Sequence, residues 1–300
     1  MQLINNNTIN ILAGNKKIRS NINKIFDDNI CDFLSTLSEK ILKNKQSSRY
    51  VDLATFAFWL RKNNLKKIKD KYETNEIRLG HGLVFHIAPA NIALNFAYSF
   101  AYSLLAGNSN IVRVPSIEFA QNHIFFNILN QIFKIKKFNQ VKESNLFISY
   151  DRNDEITKNL SLKCDYRVIW GSDKTVQKIK HLSTQPSCKE LIFPDRYSIS
   201  LINVDHLSKI KDNDLKTLTK KFYLDTLLFD QNACSSPHLI LWFGKKNTEA
   251  YQKFWKYFNM SIKSGKYFNI NEKNKIDKYT KFCELAAKRT EIKRSINGDY

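Results

Sequence analysis

The sequence predicts an α/β protein organised around a doubly wound parallel sheet. From about residue 76 to residue 205, strand-like and helix-like runs alternate, the pattern of consecutive β-α-β units. One stretch within this region, between Arg78 and Arg113, contains no Asp, Glu, Lys or Arg. It is long enough to span a bilayer. Pro89, the amides Asn91, Asn95, Asn108 and Asn110, and Gly80, Gly82 and Gly107 instead divide it into a strand, a turn and a buried helix of a soluble core.

In chain order, residues 1–75 are charged and helical in pattern, with residues 51–60 the most apolar part. Residues 82–88 read as a strand and 91–106 as a buried helix; 110–114 and 118–133 repeat that pair. Strands follow at 145–150 and 166–170, each with a helical pattern after it, at 154–162 and 174–181. Residues 197–203 close the series as a strand, and a boundary is expected near 204–208. Beyond it come a helix at 212–229, the apolar strand His238-Leu239-Ile240-Leu241-Trp242-Phe243, a helix at 248–264 and a lysine-rich helical tail at 272–294.

Composition narrows the functional classes. A chain of 300 residues with 43% hydrophobic content is an ordinary soluble globular protein, large enough for two domains. The formal charge of +20 comes mostly from lysines scattered along the whole chain. A dense basic stripe interleaved with aromatics would mark a nucleic-acid site, so no specific nucleic-acid partner is expected. The positive field favours anionic ligands such as phosphorylated cofactors. Five widely spaced cysteines, with no CxxC pair and no Cys/His cluster, point to neither a metal nor a disulfide framework. With no signal-peptide pattern at the N-terminus, a reducing cytoplasm is the expected location.

Four segments carry chemistry. Asp230-Gln231-Asn232-Ala233-Cys234-Ser235-Ser236-Pro237 places one thiol in a short polar loop between a helix and a strand, among small residues that leave the sulfur approachable. A structural cysteine more often lies inside an apolar run. Phe85-His86-Ile87-Ala88-Pro89-Ala90-Asn91 ends a strand and begins a helix, where the Asn91 amide either caps the helix or donates to a developing oxyanion. Trp170-Gly171-Ser172-Asp173 is a second strand-to-helix turn, lacking the full G-x-G-x-x-G, in which Ser172 or Asp173 also suits a cap. Arg113-Val114-Pro115-Ser116 sets an arginine at a strand end, for a phosphate or for a surface ion pair.

Taken together and in this order, these segments resemble the aldehyde dehydrogenase superfamily, and within it the LuxC-type acyl-CoA reductases, the family of the fatty-acid reductase subunit of the bacterial luminescence complex. The matching residues are 50–60 with Arg61-Lys62-Asn63-Asn64, then Gly80 through Asn91, Leu104-Leu105-Ala106-Gly107-Asn108, Arg113-Val114-Pro115-Ser116, Trp170-Gly171-Ser172, Phe193-Pro194-Asp195-Arg196-Tyr197-Ser198, and 230–237. They span residues 25 to about 245. The resemblance implies an aldehyde-dehydrogenase-like fold: a helical region at 1–75, a Rossmann-like dinucleotide-binding domain at 76–205, and at 206–300 the start of a catalytic domain shorter than in relatives. It implies Cys234 as the acyl-accepting nucleophile, and Asn91 with the Cys234 backbone N–H as oxyanion donors. Gly171, Ser172, Pro115, Ser116 and Arg113 become cofactor-binding residues. NADPH is the implied cofactor, with NADH as the alternative. The implied partners are a fatty acyl-CoA or acyl-protein substrate and an acyl-protein synthetase or acyltransferase, with oligomers formed by the full-length relatives.

Three departures from the family pattern qualify this. Where many relatives carry a lysine before the Pro-Ser pair, this chain has Val114, and Arg113 projects from the opposite strand face. The glutamate base of the oxidising enzymes has no clean counterpart, Glu190 standing about two positions out of register. The chain also ends at Tyr300, soon after Cys234, as expected of a fragment, a split gene or a degenerate copy. Besides acyl reduction, the readings carried forward are a non-catalytic protein of this fold binding nucleotide or a partner, and acyl transfer without reduction. His238, four residues after Cys234, is either a base for the thiol or a packed strand histidine.

Overall fold

A computed structural model describes residues 9–72, 74–117, 119–265, 272–289 and 291–292, with backbone alone at 272–274. The chain divides into two compact units, residues 1–195 and residues 196–300.

The first unit contains strands β1 (Asn10–Gly14), β2 (Leu83–Ile87), β3 (Ser109–Arg113), β4 (Asn145–Ser149), β5 (Tyr166–Trp170) and β6 (Lys189–Phe193). Helices α1 (Asp28–Lys43), α2 (Val51–Trp59) and α3 (Lys62–Tyr72) come before β2. Helices α4 (Asn95–Leu105), α5 (Ala120–Ile132), α6 (Asn139–Glu143), α7 (Asp154–Ser161) and α8 (Asp173–Lys180) connect the strands that follow. The sheet order is β1-β4-β3-β2-β5-β6, parallel throughout except that β1 runs antiparallel on the edge of β4. The chain steps outward from β2 to β3 and β4, then returns beside β2 as β5. That reversal defines a topological switch point between β2 and β5.

Both faces of the sheet are covered, as an all-parallel core requires. On one face Phe33 and Leu37 of α1, Phe56 of α2, Phe100 of α4 and Phe125 of α5 pack with Phe147 of β4. On the other, Phe85, Ile87, Ile111 and Ile148 meet Leu160 of α7 and Val176 and Ile179 of α8. Gly107 stops α4 at φ +84, and a Cβ there would fall 2.2 Å from the Asn23 carbonyl oxygen, so only glycine fits.

The second unit holds β7 (Ser198–Asn203), α9 (Val204–Leu207), α10 (Asp212–Leu227), β8 (Pro237–Phe243), α11 (Thr248–Ser264) and α12 (Glu272–Lys288). Strands β7 and β8 pair in parallel. Ile202 and Trp242 on one face pack against Phe222, Phe254 and Phe258 of α10 and α11. The opposite face leaves Ile199, Leu201, Leu239, Leu241 and Phe243 exposed.

Several expected boundaries differ. The strand at 197–203 does not close the first sheet: it pairs with β8, so the units part at 195/196 and not near 205. The helical region at 1–75 is not separate, because α1 and α2 share one core with α4 and α5. Strands β1 and β6 are additional; both are short sheet edges whose identity depends on a neighbour. Residues 290, 293 and 294 of the expected tail helix lie outside the described residues. No helix among the described residues is long and apolar enough to cross a membrane.

Candidate functional site

Three of the four segments meet at the carboxyl edge of the first unit's sheet. The register pairs Ile87 with Arg113 on one side and with Ile169 on the other, so the turns after β2, β3 and β5 stand side by side across the switch point. Ligands of open α/β sheets bind in such a crevice.

Asn91 is exposed in the turn between β2 and α4. The helix expected from residue 91 starts only at Asn95, after a turn in which the Asn95 N–H reaches the Ile92 carbonyl at 3.5 Å. Leu94 holds the cap position without a side-chain bond, so Asn91 does not cap the helix. Ser172 does cap its helix: its Oγ accepts from the Thr175 N–H at 3.3 Å. The hydroxyl is thus engaged, and the turn offers a ligand its backbone N–H groups and the helix dipole of α8. At Gly171 an added Cβ would crowd Thr175 at 3.1 Å, closing the space over the turn.

Arg113 and Ser116 converge on the end of β4. The Arg113 Nη2 and the Ser116 Oγ both donate to the Tyr150 carbonyl, each at 3.3 Å, and the guanidinium lies 4.6 Å over the Tyr150 ring. The Arg113 Nε is buried with no hydrogen-bond partner among the described residues. A half-buried guanidinium with an unused donor, Pro115 and Ser116 beside it, and an uncrowded glycine turn two strands away fit an anionic dinucleotide. Val114, where many relatives carry the lysine, points the other way, into the aromatic core.

Sequence reasoning missed the polar network beneath this edge. His86 is fully buried; its Nδ1 lies 2.8 Å from the Ser99 Oγ and its Nε2 2.9 Å from the Asn110 Oδ1. Asn110 Oδ1 can only accept, so Nε2 carries the proton and Ser99 donates to Nδ1. The Trp170 Nε1 donates to Ser99 at 3.2 Å, and Asn110 passes the chain to Asn145 at 2.8 Å. The Trp170 ring, stacked 3.8 Å from Phe193, is thereby fixed beside Gly171. A lone histidine inside the apolar run of β2 was the available signal.

Burial pushes the His86 pKa down to about 4, against a partial upward pull from Asn110. The unfolded chain then binds a proton that the folded one refuses. Stability is fully present above the unfolded value of 6.5 and is lost as pH falls from there toward about 4. Urea unfolding should show a loss of roughly 2 kcal/mol between about pH 7 and about pH 5 from this group. His86→Phe should flatten that part of the slope.

Glu190 is committed elsewhere. Its Oε1 accepts from the Nε of Arg167 at 2.8 Å and also pairs with Nη2, while Nη1 donates to Ser161 Oγ and the Leu182 carbonyl. Arg167 is 1% exposed, so the glutamate neutralises a buried charge.

Cys234 belongs to the second unit, at the tip of the turn before β8, and is exposed. The turn is anchored on both sides. Ser198 Oγ donates to the Cys234 carbonyl at 2.7 Å, and the buried Ser236 donates to the Asp225 carbonyl at 2.8 Å. Asp230 and Gln231 have φ of 49° and 60°, a left-handed pair that turns the chain sharply off α10. Asp230 pairs with Lys278 of α12. His238, exposed on β8, stacks on the also exposed Tyr197, with ring centroids 5.5 Å apart.

A doubly wound sheet with polar turns at its switch point places this chain among the open-sheet α/β proteins, whose ligands bind at that crevice. The fold is that of the aldehyde dehydrogenases. Indole-3-acetaldehyde dehydrogenase, solved with NAD+, is similar with a TM-score of 0.63 at 14% identity over 91% of this chain and 58% of that one. The salicylaldehyde dehydrogenase of Pseudomonas putida G7 gives 0.59 at 13% identity, over 87% and 59%. The NAD-dependent benzaldehyde dehydrogenase of Corynebacterium glutamicum gives 0.58 at 13%, over 90% and 64%. This chain therefore spans about three fifths of their lengths. No curated protein matches it. The acyl-CoA reductase (LuxC) family matches over residues 53–296, and the chain belongs to that family.

Proposed function

We propose that this chain carries the nucleotide-binding and acyl-accepting parts of a reductase that converts a fatty acyl thioester or acyl-adenylate to the aldehyde, with NADPH as cofactor and NADH as the alternative. The observation that carries the reading is an exposed thiol, Cys234, at the tip of an anchored turn in a chain of the acyl-CoA reductase family. The Cys234 thiolate attacks the acyl carbonyl carbon, forming a C–S bond, and the donor thiol or AMP leaves. On the family resemblance, the Asn91 amide is an oxyanion donor. Arg113, Ser116 and the Gly171–Ser172 turn hold the cofactor phosphates. A reduced nicotinamide, when bound, supplies hydride. The lack of a clean counterpart to the oxidising enzymes' glutamate base, with the out-of-register Glu190 paired to Arg167, suits reduction over hydrolysis.

The test is to incubate the chain with a long-chain acyl-CoA and NADPH, following nicotinamide absorbance and acyl label on the protein. Arg113→Gln should weaken NADPH binding about tenfold, roughly 1.4 kcal/mol, while acyl labelling of Cys234 persists. Equal loss of both would remove Arg113 from the cofactor site.

A second reading rests on the apolar face of β7 and β8. Parallel strands are ordinarily covered on both faces, and here Leu201 is 64% and Phe243 52% exposed. A chain that labels Cys234 but consumes no NADPH until a complementing polypeptide is added would favour a partner-dependent half-enzyme. Labelling without NADPH consumption under any addition would favour acyl transfer alone.

A further inference from the structure

Cys164 and Cys188 lie far apart in sequence, yet their Sγ atoms are 3.8 Å apart. Cys164 is buried in the turn leading into β5, and Cys188 is half-buried immediately before β6. The two strands are paired in fixed register, Tyr166 with Lys189, and the Lys189 N–H is bonded to the Asp165 carbonyl at 3.1 Å. Backbone on both sides is thus held by strand pairing, and the two sulfurs are already in contact. The site is at the amino edge of the sheet, at the opposite end of the strands from the crevice.

We propose that Cys164 and Cys188 form a reversible dithiol–disulfide site that reacts by exchange with a soluble disulfide of the glutathione class and locks the base of the β5–β6 pair. Cys188, the more accessible thiol, attacks the small disulfide as thiolate, forming a mixed disulfide and expelling one thiolate. Cys164, as thiolate, then attacks the Cys188 sulfur and expels the second. Two protein thiols are oxidised and one disulfide is reduced to two thiols, which take up the two protons. Burial pushes both thiols up while Arg167 draws them down, so the resting pair is protonated and exchange is slow. The inference is independent of the acyl-reductase reading.

The experiment uses the full chain in glutathione redox buffers, with alkylation of free thiols and peptide mass analysis. The wild type should give a 164–188 cross-linked peptide, reversible by dithiothreitol, and a melting temperature raised by roughly 5 °C. Cys164→Ser should stop at a mixed disulfide on Cys188, and Cys188→Ser should leave Cys164 a free thiol. Two outcomes would overturn the proposal. One is a wild type in which both remain thiols while the exposed Cys234 and Cys283 are modified; the other is one in which a Cys188 mixed disulfide accumulates beside free Cys164.

Discussion

Cys234→Ala is expected to abolish acyl labelling of the chain and to lower aldehyde formation by at least about a thousandfold, since no other group replaces a covalent nucleophile. The fold should survive, because the side chain is exposed and the turn is held by Ser198 and Ser236, neither of which uses the sulfur. The change in unfolding free energy should stay within about 0.5 kcal/mol. Labelling with acyl-CoA followed by hydroxylamine release reads the first effect, and urea unfolding reads the second. Aldehyde formation that persists in the variant would refute the assignment of Cys234.

Glu190→Gln is the largest expected effect on stability. It leaves the Arg167 guanidinium buried at 1% exposure without its counter-charge. The loss should be about 3 kcal/mol in urea unfolding, or roughly 8 °C in melting temperature. Arg167→Met, which removes the charge and keeps most of the volume, should lose less. A general base would behave in the opposite way, losing turnover with stability unchanged. A Glu190→Gln variant as stable as wild type would show that the pair contributes nothing to the fold.

Much of the sheet was legible in the sequence. Strands 166–170 and 145–150 and the helix at 248–264 were marked by apolar runs between polar turns, and short-range periodicity suffices for such elements. The edge strands were not legible. Asn10–Gly14 and Lys189–Phe193 carry mixed polar and apolar residues, and the second is completed by the ion pair that Glu190 makes with Arg167 on β5. The start of α4 was read four residues too early, because Asn91 looks like a cap while the chain makes one further turn before Asn95. Cys164 and Cys188, dismissed on spacing, come together because adjacent parallel strands bring distant residues into register.

By itself the sequence determined the α/β class and the order of most elements, and its ordered segments from Tyr50 to Pro237 carried the family resemblance. The class and the elements depend on local periodicity and turn chemistry, which act within a few residues. Tertiary structure alone decided that β7 pairs with β8, that Arg113 and Ser116 share the Tyr150 carbonyl, and that Glu190 answers a buried Arg167. It also set His86 between Ser99 and Asn110. These contacts join residues far apart in the chain. The selection among them comes from sheet register and the desolvation of buried polar groups, which no local pattern encodes.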